Sequence, residues 1–292
     1  MLMADPKMPK NQQAMCSFMS KSTYTKLQPT AIHSNSSEVP IFAMMSYSVQ
    51  IAQGLWEINT DKCQDMYLRE GFSAFLSRPK EERLKFIQKN LGNTYDGYSF
   101  PNQEDSFNQA PEDELHSFVI TSLEKHCDLP EELKFDQSTL WQSLQGQVNE
   151  IERHLLIETR IAHEGDLTPM LSCNYYPAKK IAWKGLEEHP DISLFTHFPF
   201  GSDGLTEYKD QNGEWHPFPK TDNWLVFTGY FMEYISQGKV KALQHRVGVL
   251  PAHIERFAFA WFTIPHPKSQ WIHGGKTING ADYHQAYLAL FE

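Results

Sequence analysis

Positive charge is scarce in this sequence. Its 292 residues hold 26 lysines and arginines against 36 aspartates and glutamates, a formal charge of −10. A protein that tracks a phosphate backbone needs a basic excess or patch, so no nucleic-acid partner is expected. Long apolar runs are also missing. The densest, Trp224-Leu-Val-Phe-Thr-Gly-Tyr-Phe-Met232, falls well short of the ~18 residues a membrane-spanning helix requires, and no membrane association is expected. The four cysteines, Cys16, Cys63, Cys127 and Cys173, are scattered and form no C-x-x-C pair. That argues against a disulfide scaffold or a structural zinc module. No apolar stretch of signal length follows the early lysines, and with the isolated cysteines this points to the reducing cytoplasm.

What is present is enough apolar material for a sizeable core, 40% hydrophobic against 21% charged, and 13 histidines, raw material for metal chemistry. Residues 1–37 are rich in Met, Lys, Ser, Thr, Gln and Asn without an apolar period and read as a mobile tail. Residues 39–45 read as a strand. Helices are expected over 62–75 and 79–88, the second with Ser77 as N-cap and Glu81-Glu82 near its positive end. Residues 93–130, full of Gly, Pro, Asn and Asp, read mostly as loop. A long helix over 137–163 places Leu140, Leu144, Val148, Ile151 and Leu155 on one face, with Gly165 as its stop. From about Leu171 the texture becomes short apolar and aromatic runs punctuated by turns such as Gly201-Ser-Asp-Gly204 and Asp210-Gln-Asn-Gly213. Such spacing suggests a sandwich or jelly roll. The expected fold class is α+β, with a helical first half (38–165) supporting a β-rich second half (166–292). No linker divides 38–292, which is expected to be a single domain.

The chemistry begins at His189-Pro190-Asp191. On a strand or its edge, residues i and i+2 face the same way, so both side chains can turn to one metal. Two imidazoles and a carboxylate with positions left open are what non-haem Fe(II) oxygenases use. The bare triplet decides nothing, since three H-x-[DE] triplets occur where about 1.6 are expected by chance. Context separates them. His126-Cys-Asp128 precedes the β-rich half, and Glu255 of His253-Ile-Glu255 stands beside Arg256. His189 and Asp191 run into the strand candidate Ile192-Ser-Leu-Phe-Thr-His-Phe198. His245 follows on a second strand, and Arg256-Phe-Ala-Phe-Ala-Trp-Phe262 forms a third. There Arg256, Ala258, Ala260 and Phe262 share one face, which leaves space around a cation; Phe257, Phe259 and Trp261 share the other, as core. A buried guanidinium requires an anion: either an acid of the chain or the carboxylate of a ligand. His197, His216, His253, His266, His273 and His284 show no partner pattern and read as ordinary polar or half-buried residues.

The pieces H-P-D-I-S-L-F-T, Q-H-R-V and R-F-A-F, with Asn174-Tyr175-Tyr176-Pro177 upstream, resemble the Fe(II)- and 2-oxoglutarate-dependent dioxygenases of the isopenicillin N synthase-like superfamily. Weaker likeness lies in Val39-Pro-Ile41, in the stretch from Phe75 to Arg83 and in Gly213-Glu-Trp-His-Pro-Phe218. The resemblance implies a double-stranded β-helix (jelly-roll) core with the helical half packed on it. It implies His189, Asp191 and His245 as iron ligands, Arg256 as the anchor of the 2-oxoglutarate distal carboxylate, and Asn174 and Tyr176 beside that cosubstrate. The implied cofactors are Fe(II), 2-oxoglutarate and O2, and the implied reaction is oxidative decarboxylation coupled to hydroxylation or a related oxidation of a small organic molecule. The sequence departs from the family at Ala258, where the family usually has a serine, and around Gly54-Leu-Trp-Glu-Ile. Two alternatives stay open: an Fe(II) oxidase that uses no 2-oxo acid, and a non-catalytic jelly-roll metal- or ligand-binding protein. Aromatic residues at Tyr95, Tyr98, Phe100, Tyr208 and Trp215 suggest an organic small-molecule substrate.

Overall fold

A strand that alternates Arg256, Ala258 and Ala260 with Phe257, Phe259 and Trp261 has two unlike faces, and the chain builds two unlike layers against it. The structure is a computed structural model that describes residues 48–60, 65–87, 97–100, 114–121, 129–134, 139–161 and 166–290. All of these fall within one compact unit. The expected tail, the strand at 39–45, the triplet His126-Cys-Asp128, Tyr95 and the helix stop at Gly165 lie outside the described residues.

In chain order the first elements are β1 (Ser48–Ala52), β2 (Leu55–Ile58), α1 (Met66–Leu76), α2 (Lys80–Arg83), β3 (Gly97–Ser99), β4 (His116–Thr121) and α3 (Thr139–Thr159). The jelly roll follows with β5 (Leu167–Tyr176), β6 (Trp183–Lys184), β7 (Phe195–Phe198), β8 (Thr206–Lys209), β9 (Trp215–Pro217) and β10 (Trp224–Thr228). Then come α4 (Tyr230–Ile235), β11 (His245–Val247), β12 (Val249–Leu250), β13 (Arg256–Pro265), β14 (Gln270–His273), β15 (Lys276–Asn279) and α5 (Gly280–Leu288).

One layer is an eight-stranded antiparallel sheet in the order β1-β2-β10-β7-β13-β5-β4-β3; the other is made of β11-β8-β9 and β12-β6. β5 and β13 pair along their whole length, from Tyr176 opposite Arg256 to Leu167 opposite Pro265. The outer face of the large sheet receives the helices. Trp261 packs 4.4 Å from Trp141 of α3 and Phe257 6.4 Å from Phe72 of α1. Leu144, Val148, Ile151 and Leu155 of α3 are buried there, each stabilising the fold by roughly 1.5–3 kcal/mol. Between the layers lie two smaller apolar clusters. Leu55, Phe218, Leu225, Phe227 and Leu243 fill one; Leu115, Tyr176, Trp183, Val247 and Leu250 fill the other, with Ala258 against it. Strands from both layers meet in each, which is the α+β double-stranded β-helix. No helix among the described residues is long and apolar enough to cross a membrane.

Several expectations need correction. The first half is not only helical support, since β1, β2, β3 and β4 supply half of the large sheet. β4 lies in the stretch read as loop. It forms because β3 and β5 pair with it on either side, and strand formation follows such partners more than local propensity. Ser77 is the C-cap of α1, its hydroxyl donating to Ala74 O, while Pro79 stands at the start of α2. The apolar run 224–232 is divided between β10 and α4, with the bend at Gly229. A Cβ there would sit 2.1 Å from Ser193 O, so only glycine permits that approach.

Candidate metal centre

His189 lies outside the named strands and is held by a single antiparallel bridge. Its N–H donates to His245 O at 3.0 Å, and the N–H of His245 returns a bond to His189 O at 3.1 Å. Residues paired in this way project to one side, and the two rings stand 4.4 Å apart between centroids. His189 Nδ1 meets Glu187 O at 2.7 Å, and His245 Nδ1 meets Leu243 O at 3.2 Å. A carbonyl accepts only, so Nδ1 carries the proton and Nε2 keeps its lone pair. Each Nε2 lies 3.6 Å from a different oxygen of Asp191. One donor atom from each of the three residues falls within 4.8 Å of the others. Asp191 Oδ2 also accepts from the Thr196 hydroxyl at 2.7 Å, and that hydroxyl meets Ser193 Oγ at 2.7 Å.

The electrostatics follow from burial. His245 is pushed down to about 4, chiefly by desolvation, so its ring is neutral near pH 7. Desolvation also works to lower His189, but the hydrogen bond and charge of Asp191 outweigh it and the net direction is up. Burial would raise Asp191, yet the neighbouring histidines and Thr196 hold it below the ordinary carboxylate range. A concentrated anion faced by two imidazole lone pairs suits a divalent transition metal, and the two-His, one-carboxylate set is the one used with Fe(II).

Every backbone carbonyl from Pro190 to Leu194 is engaged. The carbonyls of Pro190, Asp191, Ile192, Ser193 and Leu194 accept, in turn, from Tyr287 OH, Tyr230 N, Tyr283 OH, Phe231 N and Gly229 N. The N–H groups at the start of α4, which have no partner inside their own helix, thus meet the turn that presents Asp191, and two tyrosines of α5 supply the rest.

Asn174 and Tyr176 share the inner face of β5, opposite Ala258 and Arg256 respectively. Asn174 Oδ1 accepts from Ser172 Oγ at 3.2 Å. Tyr176 is buried, its ring 5.2 Å from the Arg256 guanidinium. Arg256 is buried too, and an acid of the chain already meets it. Its Nε donates to Asp203 Oδ2 at 2.7 Å, while Nη2 reaches Asp203 Oδ1 at 3.3 Å and Thr206 Oγ at 3.0 Å. The acid is not Glu255, which instead accepts from Tyr175 OH at 3.0 Å. A buried cation beside a tyrosine on the inner face suits an anionic cosubstrate; Ala258 adds no donor.

Sequence reasoning missed four groups here: Thr196, Asp203, Tyr283 and Tyr287. Thr196 stood within the motif H-P-D-I-S-L-F-T, where a hydroxyl near the acid was a usable signal. His197, read as ordinary, is fully buried with Nε2 3.0 Å from Glu152 of α3, which also accepts from the Thr263 hydroxyl. His216 meets Asp210, and His273 stacks on Tyr234; neither joins the centre.

Residues 167–265 match the 2OG-Fe(II) oxygenase superfamily. No curated protein matches the chain at a significant level. Among solved structures, a 2OG-Fe(II) oxygenase family protein from Caulobacter crescentus superposes with a TM-score of 0.64 at 16% identity, covering 82% of this chain and 90% of its own. A full-length Neurospora crassa protein, solved in complex with alpha-KG, gives a TM-score of 0.63 at 20% identity over 81% and 86%. A rice dioxygenase for auxin oxidation gives 0.59 at 16% identity over 77% and 81%. At such identities the likeness speaks for the fold, and the matched segment runs from β5 to the end of β13, carrying His189, Asp191, His245, Asn174, Tyr176 and Arg256. Through this segment, about a third of the chain, the jelly roll is similar to the 2OG-Fe(II) oxygenase superfamily.

Proposed function

We propose that the protein is a non-haem iron oxygenase in which His189, Asp191 and His245 hold Fe(II), and Arg256, Tyr176 and Asn174 receive 2-oxoglutarate. The observation that carries this reading is the convergence of two Nε2 atoms and one carboxylate, each braced from behind. Fe(II) with 2-oxoglutarate and O2 supplies an oxidation of a substrate C–H bond coupled to decarboxylation of the 2-oxo acid to succinate. The protein contributes orientation and dryness. The Nδ1 bonds of both histidines fix ring direction, and Thr196 fixes the carboxylate. Phe227, 4.9 Å from the His245 ring, and its apolar cluster keep water from that side of the ligands. Arg256 supplies positive charge to an anion that would otherwise meet a chain of net charge −10.

A small organic substrate suits the solved relatives, which include the same Neurospora crassa protein with alpha-KG and thymine, and JOX2 with 2OG, Fe and JA. The narrower placement, among isopenicillin N synthase-like enzymes, rests on the motifs around His189, His245 and Arg256. Residues 38–292 are proposed to act as one oxygenase domain. Cys173, buried and without a bridge among the described residues, fits a reducing cytoplasm. The Asp203–Arg256 pair and Ala258 favour a second reading, an Fe(II) oxidase that needs no 2-oxo acid.

The test is turnover of purified protein with Fe(II), O2 and 2-oxoglutarate. Slow succinate formation without substrate is expected, lost in His189→Ala, and a metabolite screen for stimulated succinate should then find the substrate. Iron-dependent O2 uptake without succinate would favour the oxidase. Folded protein with neither would refute both readings.

A further inference from the structure

The turn Gly201-Ser202-Asp203-Gly204 brings an acid to the buried arginine. Gly201 and Gly204 have φ of +79° and +82°, left-handed values that glycine adopts without strain. Ser202 Oγ accepts from the Gly204 N–H, and Asp203 Oδ1 from the Leu205 N–H. So held, the Asp203 carboxylate lies along the Nε–Nη2 edge of Arg256. The two partners differ in exposure: the Arg256 side chain is 6% exposed and that of Asp203 39%. The cation is fixed in the interior while the acid stands at the edge of solvent, lining a pocket of about 560 Å³ with Arg256, Ala258 and Phe198.

A guanidinium edge occupied by one carboxylate cannot offer the same bidentate contact to another. Nη1 is the one guanidinium nitrogen of Arg256 with no hydrogen-bond partner among the described residues. An arriving distal carboxylate must therefore share Arg256 with Asp203, against like-charge repulsion, or push Asp203 toward solvent. Either way it gains less than it would from an unopposed arginine.

Resting on the oxygenase reading above, we infer that Asp203 sets the selectivity of the site among 2-oxo acids. By competing for Arg256 it reduces the advantage of 2-oxoglutarate over 2-oxo acids that lack a distal carboxylate. Removing its charge should restore that advantage.

The test uses the full chain loaded with Fe(II) under anaerobic conditions, with 2-oxoglutarate and 2-oxobutyrate as probes. Binding is followed by the visible absorbance of the iron–2-oxo acid complex and, independently, by calorimetry on Mn(II)-loaded protein. Asp203→Asn keeps an oxygen for the Leu205 N–H and loses the charge; Asp203→Ser is the second variant should the first fail to fold. Tightening of 2-oxoglutarate by about tenfold, the scale of one charge-assisted hydrogen bond, with 2-oxobutyrate unchanged, is the expected result. Equal or weaker 2-oxoglutarate binding in a folded variant, while wild type binds it, overturns the inference and leaves the oxygenase reading standing. If iron-loaded wild type and variants all bind neither acid, the 2-oxoglutarate reading fails and the inference falls with it.

Discussion

Thr196 donates its hydroxyl proton to Asp191 Oδ2 and binds no metal itself, yet it decides which way that carboxylate turns. Groups of this kind tune metal affinity, with losses of roughly 10–100-fold on removal. Thr196→Val, close in shape, should weaken Mn(II) or Co(II) binding within that range while circular dichroism stays native; unchanged affinity in a metal titration would refute the role. The candidate ligands could be named from the sequence because His189 and Asp191 are two apart and sit in a motif. Asp203 was not, because it meets Arg256 across 53 positions of sequence and only the folded turn selects it among 36 acidic residues. The need for an anion could be read from the sequence, but the choice between an acid of the chain and a ligand could not.

At the scale of elements, α3 was legible and its task was not. The spacing of Leu144, Val148, Ile151 and Leu155 announced a helix with one buried face. It did not announce that Glu152, on the same helix, enters the core to meet His197 and Thr263. Glu152→Leu leaves both partners unmatched, at about 1–3 kcal/mol for each buried polar group. A fall of at least ~2 kcal/mol in unfolding free energy is the expected outcome, measured by denaturant titration, and a neutral variant would contradict it. Nothing in the composition of the apolar run 224–232 marks the change from β10 to α4; the break at Gly229 depends on how close Ser193 O lies. α5 is braced at its start by Asn279, whose side chain accepts from Asp282 N in a reciprocal capping box. From that base Tyr283 and Tyr287 reach the carbonyls of Ile192 and Pro190. The double change Tyr283→Phe with Tyr287→Phe should weaken Mn(II) binding more than it lowers the melting temperature of metal-free protein. Tyr234→Phe, whose ring packs 5.3 Å from Tyr283, is the control. Equal metal affinity in the double variant and the control would count against the brace.

For the whole molecule, acid is the condition that tests the buried histidines together. His116 and His245 are pushed down to about 4 and His284 is lowered, each chiefly by burial. In the unfolded chain each regains an ordinary value near ~6.5. Between about 4 and 6.5 the unfolded state therefore binds more protons, and stability falls as pH drops through that window. His189, raised by Asp191 against the pull of burial, acts in the opposite sense but is one group against three. Metal-free protein should melt at a lower temperature at pH 5 than at pH 7, and equal midpoints by calorimetry would refute the account. The jelly roll was legible as a whole because its strands carry alternation and turn signals. The eight-stranded sheet was not, since β1 to β4 join it through partners distant in sequence.

The brace from α5 also bears on the order in which the protein is made. Tyr283 and Tyr287 lie 91 and 97 positions beyond the carbonyls they hold. A nascent chain that has delivered His189, Asp191 and His245 already has every donor atom of the centre, but the turn between Pro190 and Ile192 is still unclamped. Chains emerge from the N-terminal side at a finite pace, so a metal captured in that interval would meet a looser cage than one captured after α5 has docked. If the centre holds a metal, selectivity among divalent ions during synthesis would thus depend on when the metal arrives.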